Sequence, residues 1–376
     1  MSWKEDFKNS FDYKRLTYQN LRDTINKTLK QKKGACSMVE YREEISVTQQ
    51  YKQNYLDGLD KLIASRQRDL AKVRNEYIKE IMLKPEKYRD DFKKMLGWPL
   101  VDHHEDQIPK VKAERLATEN GYTIYRMTFE ILDGLEMSGL YFEMDEKEKK
   151  PLVLVQHGGL GTPEGISGFY DGNTTNYNHM LERVIAHRVH AFAPQLLLWN
   201  KETYSISYDR VNIDARLKRI GSSITAVELY GLTRILDYFE SKDNVSSFGM
   251  VGLSYGGFYT LFLSAIDTRI RSAISCSFFN SRDHIPWSDW TWFGSAGKFD
   301  DAEVASLIYP RKLCIEIGTR DNLFDVTHGV KSYEKVLELC KDVGTDWLSF
   351  ITFEGTHEFC KDDSPIKALV DEITDP

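Results

Sequence analysis

Apolar residues change their spacing along the chain. From Ser46 to Leu83 they recur at Tyr55, Leu59, Leu62, Ile63, Leu70, Val73, Tyr77 and Ile81, three and four apart, which lines one face of a helix. Pro85 limits that helix, and a second amphipathic piece from Tyr88 to Leu96 ends at Gly97-Trp98-Pro99, where glycine and proline stop helices. From Tyr122 the pattern becomes that of strands: Tyr122 to Ile131 and Leu135 to Met144 flank Asp133-Gly134, a two-residue hairpin signal. After a charged turn, Leu152 to Gln156 is the continuous apolar run expected of a strand buried on both faces.

The rest alternates. Helices are expected at Tyr177 to His187, Ser222 to Lys242, Phe258 to Ile266, Asp300 to Leu307, Thr327 to Val343 and Pro365 to Ile373. Between them fall strands at His190 to Pro194, Phe248 to Gly252, Ile270 to Cys276, Lys312 to Gly318 and Trp347 to Phe353. Such alternation predicts an α/β fold, a mainly parallel sheet with helices on both faces and its site at the carboxyl ends of the strands. Residues 1–97 read as an N-terminal helical segment that packs on the rest, covers a site as a lid or makes an oligomer contact. Residues 98–376 read as the α/β domain.

Composition narrows the classes. In 376 residues the net charge is −7, with no domain-wide basic excess to neutralise phosphates, which argues against nucleic acid as a partner. No run approaches a membrane span of about 18 apolar residues, and Met1 to Lys8 carries charge where a signal peptide needs an apolar core, so the expectation is cytoplasmic. The five cysteines, Cys36, Cys276, Cys314, Cys340 and Cys360, are odd in number and widely spaced, as suits reduced thiols. His103-His104-Glu105-Asp106 has no complementary His or Cys cluster nearby and reads as a solvated loop, so no metal is expected.

The chemistry concentrates in Phe248-Gly-Met-Val-Gly-Leu-Ser-Tyr-Gly-Gly257. An apolar strand runs into Gly252-Leu-Ser-Tyr-Gly256 and then a helix, so Ser254 occupies a tight turn that glycines two before and two after make room for. The turn lifts the hydroxyl above the sheet edge and aims the Tyr255 N–H at any oxyanion formed there. The loop His157-Gly-Gly-Leu-Gly161 follows another strand and lacks a nucleotide-binding pattern. Gly158 and Gly159 are its candidates for a second oxyanion donor, and His157 reads as a loop former.

A serine nucleophile needs a base and a group to hold that base, in the chain order serine, acid, histidine. Asp321 lies just beyond the strand at Lys312, and His357 just beyond the next. His284 and His328 are competing bases and Asp325 a competing acid, better explained as the cap of the helix near Val326; Glu358 reads as solvent-facing.

The run from about Pro151 to Ile373 resembles the α/β-hydrolase superfamily, in its dienelactone-hydrolase-like and acetyl-xylan-esterase-like branch, a neighbour of the prolyl oligopeptidase catalytic domain. The residues that carry the resemblance are His157-Gly-Gly, Gly252-Leu-Ser-Tyr-Gly-Gly, Ile308-Tyr-Pro-Arg-Lys-Leu before Gly318-Thr-Arg-Asp321, and Glu354-Gly-Thr-His357-Glu-Phe. It implies Ser254 as nucleophile, His357 as base, Asp321 as orienting acid, a small-molecule ester as substrate and no cofactor. A peptidase or amidase with the same triad is the alternative, and a noncatalytic binding protein on the same fold is a third reading. Trp287, Trp290 and Trp292, in Ile285 to Phe293, form either a substrate wall or packing for the appended helices; Trp199, Tyr204 and Tyr208 raise the same question.

Overall fold

The computed structural model describes residues 41–99, 107–132, 134–169, 175–199, 206–285 and 287–375. Cys36, His103 to Asp106 and Tyr204, for which the sequence raised expectations, lie outside them. A nine-stranded sheet runs in the order β1-β2-β3-β5-β4-β6-β7-β8-β9. Its antiparallel end is built from β1 (Val111–Glu119), β2 (Tyr122–Leu132) and β3 (Leu135–Met144). The parallel part holds β4 (Lys150–Gln156), β5 (His190–Pro194), β6 (Val245–Leu253), β7 (Ile270–Cys276), β8 (Lys312–Gly318) and β9 (Leu348–Phe353).

The apolar run of β4 shows why the central strands lack alternation. Leu152 and Leu154 enter one core cluster while Val153 and Val155 enter another across the sheet. Both faces are covered, so every position favours an apolar side chain. The hairpin pairs Leu132 with Leu135, and Gly134 takes the left-handed conformation there at φ 74°.

Two elements carry no signal in the expected pattern. Among the described residues strand β1 pairs with β2 alone and is exposed along most of its length, its side chains including Lys112, Glu114, Arg115 and Glu119. Charge of that kind blunts an edge against pairing with another chain, and it also erases the alternation that marks a strand. Helix Arg210–Arg219 buries only Arg210 and Asp214, so it shows no apolar stripe; the Asp209 side chain caps it by accepting from Asn212 N at 3.0 Å.

Helix α1 spans Ile45–Leu83, and a division between two compact units falls within it, after Ala64. From Ser65 on the chain belongs to the unit that holds the sheet. There α1 buries Arg74, Ile78, Ile81 and Met82, while Val73 is exposed. Of the apolar positions expected on its inward face, Ile81 is buried and Leu70 and Tyr77 partly so, and Arg74 joins that face within salt-bridge distance of Asp300 and Glu303. Helix α2 (Pro85–Leu96) sets Phe92 5.1 Å from both Phe262 and Phe299, and Gly97 closes it at φ 76°. Among the described residues no helix is long and apolar enough to cross a membrane. Cys276, Cys314, Cys340 and Cys360 are free thiols; burial pushes Cys314 up to about 12 and Cys340 up to about 11.

Candidate active site

Ser254 sits between β6 and the helix Tyr255–Ile266 with φ 61° and ψ −121°, a conformation a side chain rarely accepts. Its N–H donates to Cys276 O and its carbonyl accepts from Phe258 N, each at 2.9 Å, which holds the turn. The flanking glycines are required by close approach: a Cβ on Gly252 would lie 2.3 Å from Gly256 O, and one on Gly256 would lie 2.2 Å from Gln156 O. The helix thereby seats directly on the end of β4.

Asp321 and His357 stand beyond the carboxyl ends of β8 and β9, which run parallel to β6 and β7, so all three residues share one edge of the sheet. His357 Nδ1 lies 2.9 Å from Asp321 Oδ2. A carboxylate can only accept, so Nδ1 carries the proton and Nε2 is left as the basic nitrogen. Asp321 is itself fixed, since Oδ1 accepts from Leu323 N at 2.8 Å and Phe324 N at 3.0 Å. The Phe324 ring stacks on His357 with centroids 5.7 Å apart. Among the described residues the Ser254 hydroxyl makes no hydrogen bond, so the structure brings His357 into bonding distance of Asp321 and not of Ser254.

The competing residues are engaged elsewhere. The rings of His284 and His328 stack on each other at 3.7 Å, and Asp325 caps its helix by accepting from Thr327 N at 2.8 Å. Glu358 is not simply solvent-facing. Its Oε2 accepts from Asn178 Nδ2 at 2.9 Å and its Oε1 from Thr356 N at 3.1 Å, and the Asn178 bond leads in holding its carboxyl below the usual range. Asn178 Nδ2 also reaches Phe359 O at 2.6 Å, so the loop bearing His357 is clamped from a segment 180 positions away. Nothing in the local sequence marks that contact.

Of the two glycines expected as oxyanion donors, Gly158 has its N–H engaged by Tyr177 Oη at 2.7 Å. The Gly159 N–H has no acceptor among the described residues, and Tyr255 N opens its helix, where no intrahelical acceptor exists. His157 is fully buried, lies 2.9 Å from Gly158 O through Nδ1 and accepts from Leu196 N through Nε2, so it shapes the loop as a neutral ring.

Burial lowers His157 from 6.5 to about 4, which makes stability pH-dependent. The unfolded chain takes up this proton below 6.5 and the folded one only below about 4. The stabilisation is therefore present above pH 6.5 and is lost as pH falls to 4. In denaturant titrations the protein is expected to lose about 3 kcal/mol more than a His157→Asn variant across that window. Parallel curves for the two would refute the assignment.

The aromatic segment divides. Trp290 is 1% exposed and Trp292 5%, the first packed on Phe258 and Phe278 and the second on Phe262. Neither keeps a face for substrate, which corrects the expectation for both. Trp287 is half-buried, 4.9 Å from Trp199 and 6.4 Å from Phe324 by ring centroids.

Beneath the serine turn lies a charge cluster that local sequence does not reveal. Arg210 pairs with both Glu228 oxygens at 3.1 to 3.2 Å and donates through Nε to Asp289 Oδ2 at 2.8 Å, all three side chains being buried. Tyr255 Oη donates to Asp289 Oδ2 at 2.7 Å, and the Tyr259 hydroxyl bonds to Glu228. Among the described residues no cluster of His, Cys, Asp or Glu is arranged to hold a metal ion.

No protein-family model and no curated protein matches this sequence. Solved structures do. A provisionally assigned acetyl xylan esterase from Bacteroides fragilis aligns with TM-score 0.60 at 15% identity, over 74% of this chain and 76% of that one. A glucuronoyl esterase from Solibacter usitatus aligns with TM-score 0.54 at 14% identity, over 75% and 91%. An acetyl xylan esterase from Paenibacillus sp. R4 aligns with TM-score 0.52 at 14% identity, over 76% and 99%. At such identity the likeness speaks for architecture, and the chain has the α/β-hydrolase fold.

Proposed function

We propose that this protein is a serine hydrolase of small carboxylic esters. The observation that carries the reading is Ser254 held at φ 61° on the sheet edge where Asp321 orients His357. The Ser254 Oγ attacks the ester carbonyl while His357 Nε2 takes its proton, and the resulting oxyanion is met by the Tyr255 and Gly159 N–H groups. Collapse of the adduct breaks the bond to the alkoxy group, which leaves as the alcohol with the proton from His357. Water then attacks the acyl-serine, His357 again taking and returning the proton, to release the acid and restore Ser254. The steps use side chains and backbone alone and call for no metal or organic cofactor. Trp287 adds an apolar ring next to Phe324, which stacks on His357, and the aligned structures named as esterases favour esters over amides as substrate.

Incubation with a fluorophosphonate, followed by peptide mapping, tests this directly. Label is expected on Ser254 in the protein and absent in His357→Ala, with hydrolysis of p-nitrophenyl and acetylated-sugar esters in parallel. Faster cleavage of matched amides would move the assignment to a peptidase. Neither label nor hydrolysis would leave the noncatalytic reading standing.

A further inference from the structure

Trp199 follows β5 by five residues and touches both residues whose N–H groups face the oxyanion. A Cβ on Gly159 would lie 3.0 Å from Trp199 Cε3 and 3.2 Å from Cδ2, so the indole covers the backbone that carries one donor. Its Nε1–H donates to Tyr255 Oη at 3.1 Å, with the two rings edge-on at 5.3 Å. Trp199 is nevertheless only half-buried. Beyond it the rings continue through Trp287 to Phe324, which stacks on His357. An aromatic arc thus borders the space over Ser254 from oxyanion donors to base, and Trp199 is its end nearest the donors.

That end is pinned. Tyr255 Oη accepts from Trp199 and donates to Asp289 Oδ2, the same oxygen that receives Arg210 Nε. Arg210 is in turn forked on Glu228, which also accepts Leu197 N at 2.9 Å, two residues before Trp199. Swinging the indole aside would strip a hydrogen bond from this buried set, whose members have no water to replace it. An acyl group whose carbonyl oxygen lies between the Tyr255 and Gly159 N–H groups therefore meets a bulky ring that cannot yield.

We infer that Trp199 is the residue that limits the acyl chain to short groups, and that Asp289 and Arg210 act as positioning residues for it through Tyr255. The inference rests on the ester-hydrolase reading above.

The test compares kcat/KM for p-nitrophenyl acetate, butyrate and octanoate in the full-length protein and in Trp199→Ala, Trp199→Phe and Asp289→Asn. The protein should prefer acetate, and Trp199→Ala should raise the octanoate-to-acetate ratio at least tenfold. Trp199→Phe removes the Nε1–H and part of the ring and should move the ratio the same way by a smaller factor; it decides the matter if the alanine variant does not fold. Asp289→Asn keeps an acceptor for Tyr255 but loses the ionic tie to Arg210, and should also relax the ratio, a change that a purely structural role would not produce. A wild-type protein that hydrolyses octanoate as readily as acetate, or a ratio unmoved in folded Trp199 variants, overturns the inference. A wild-type protein whose Ser254 takes no fluorophosphonate overturns the hydrolase reading instead.

Discussion

Replacing Ser254 with alanine should reduce kcat for ester hydrolysis by about 10⁴- to 10⁶-fold, the range spanned by loss of the nucleophile in serine hydrolases. Alanine keeps the Cβ, so the φ 61° turn is as strained as before and the fold is untouched. His357→Ala should cost about as much, because a hydroxyl without its base is a poor nucleophile, and the double variant should be little worse than either. Asp321→Asn isolates the tautomer. The asparagine oxygen can still accept from Leu323 N and Phe324 N, but its NH₂ then faces His357 Nδ1 and drives the proton to Nε2, where it blocks catalysis. That variant should lose about 10⁴-fold. Initial rates and burst amplitude with p-nitrophenyl acetate measure all four, and a Ser254→Ala protein within tenfold of wild type would end the proposal.

The largest effect on stability is expected at Arg210. It is the cation between two buried carboxylates, Glu228 and Asp289, and truncation to alanine leaves both without it. Removing one partner of a buried ion pair costs about 3–5 kcal/mol, which for a chain of this size lowers Tm by roughly 5 °C. The pH dependence has a definite sign. Burial already holds Glu228 above its ordinary 4.5 in spite of Arg210, which lowers it, and without Arg210 it rises further. A carboxyl raised in the folded state is destabilising at high pH, and that penalty shrinks as pH falls and vanishes below 4.5, where both states are protonated. The Tm gap between the protein and Arg210→Ala should therefore be wider at pH 8 than at pH 5. A gap that widens on acidification, or a variant as stable as wild type, would show that the cluster does not depend on its cation.

Short-range rules account for the serine turn and for the sheet edge it stands on. The strand–Gly-x-Ser-x-Gly–helix turn is a local steric requirement, visible because a Cβ at either glycine would collide with backbone. Strands His190–Pro194, Ile270–Cys276 and Lys312–Gly318 run over the residues that their apolar patterning marks, and those patterns put Asp321 and His357 on one edge with Ser254. The resemblance read from those motifs agrees with the architecture.

Other features had no local signal, for the same reason in each case: the determining contact lies far along the chain. Arg210 meets Asp289 across 79 positions and Asn178 meets Glu358 across 180, and a lone Arg or Asn in a polar stretch has no local pattern to betray it. Strand β1 hid behind the charges that protect a sheet edge. Arg74 joins the buried face of α1 because its partners, Asp300 and Glu303, lie far along the chain. How deep each tryptophan lies was likewise a matter of packing: Trp290 and Trp292 are taken up by Phe258, Phe278 and Phe262, while Trp287 and Trp199 are half-buried against each other. Spacing along the chain says nothing of depth beneath the surface, and depth separates a core ring from a substrate wall.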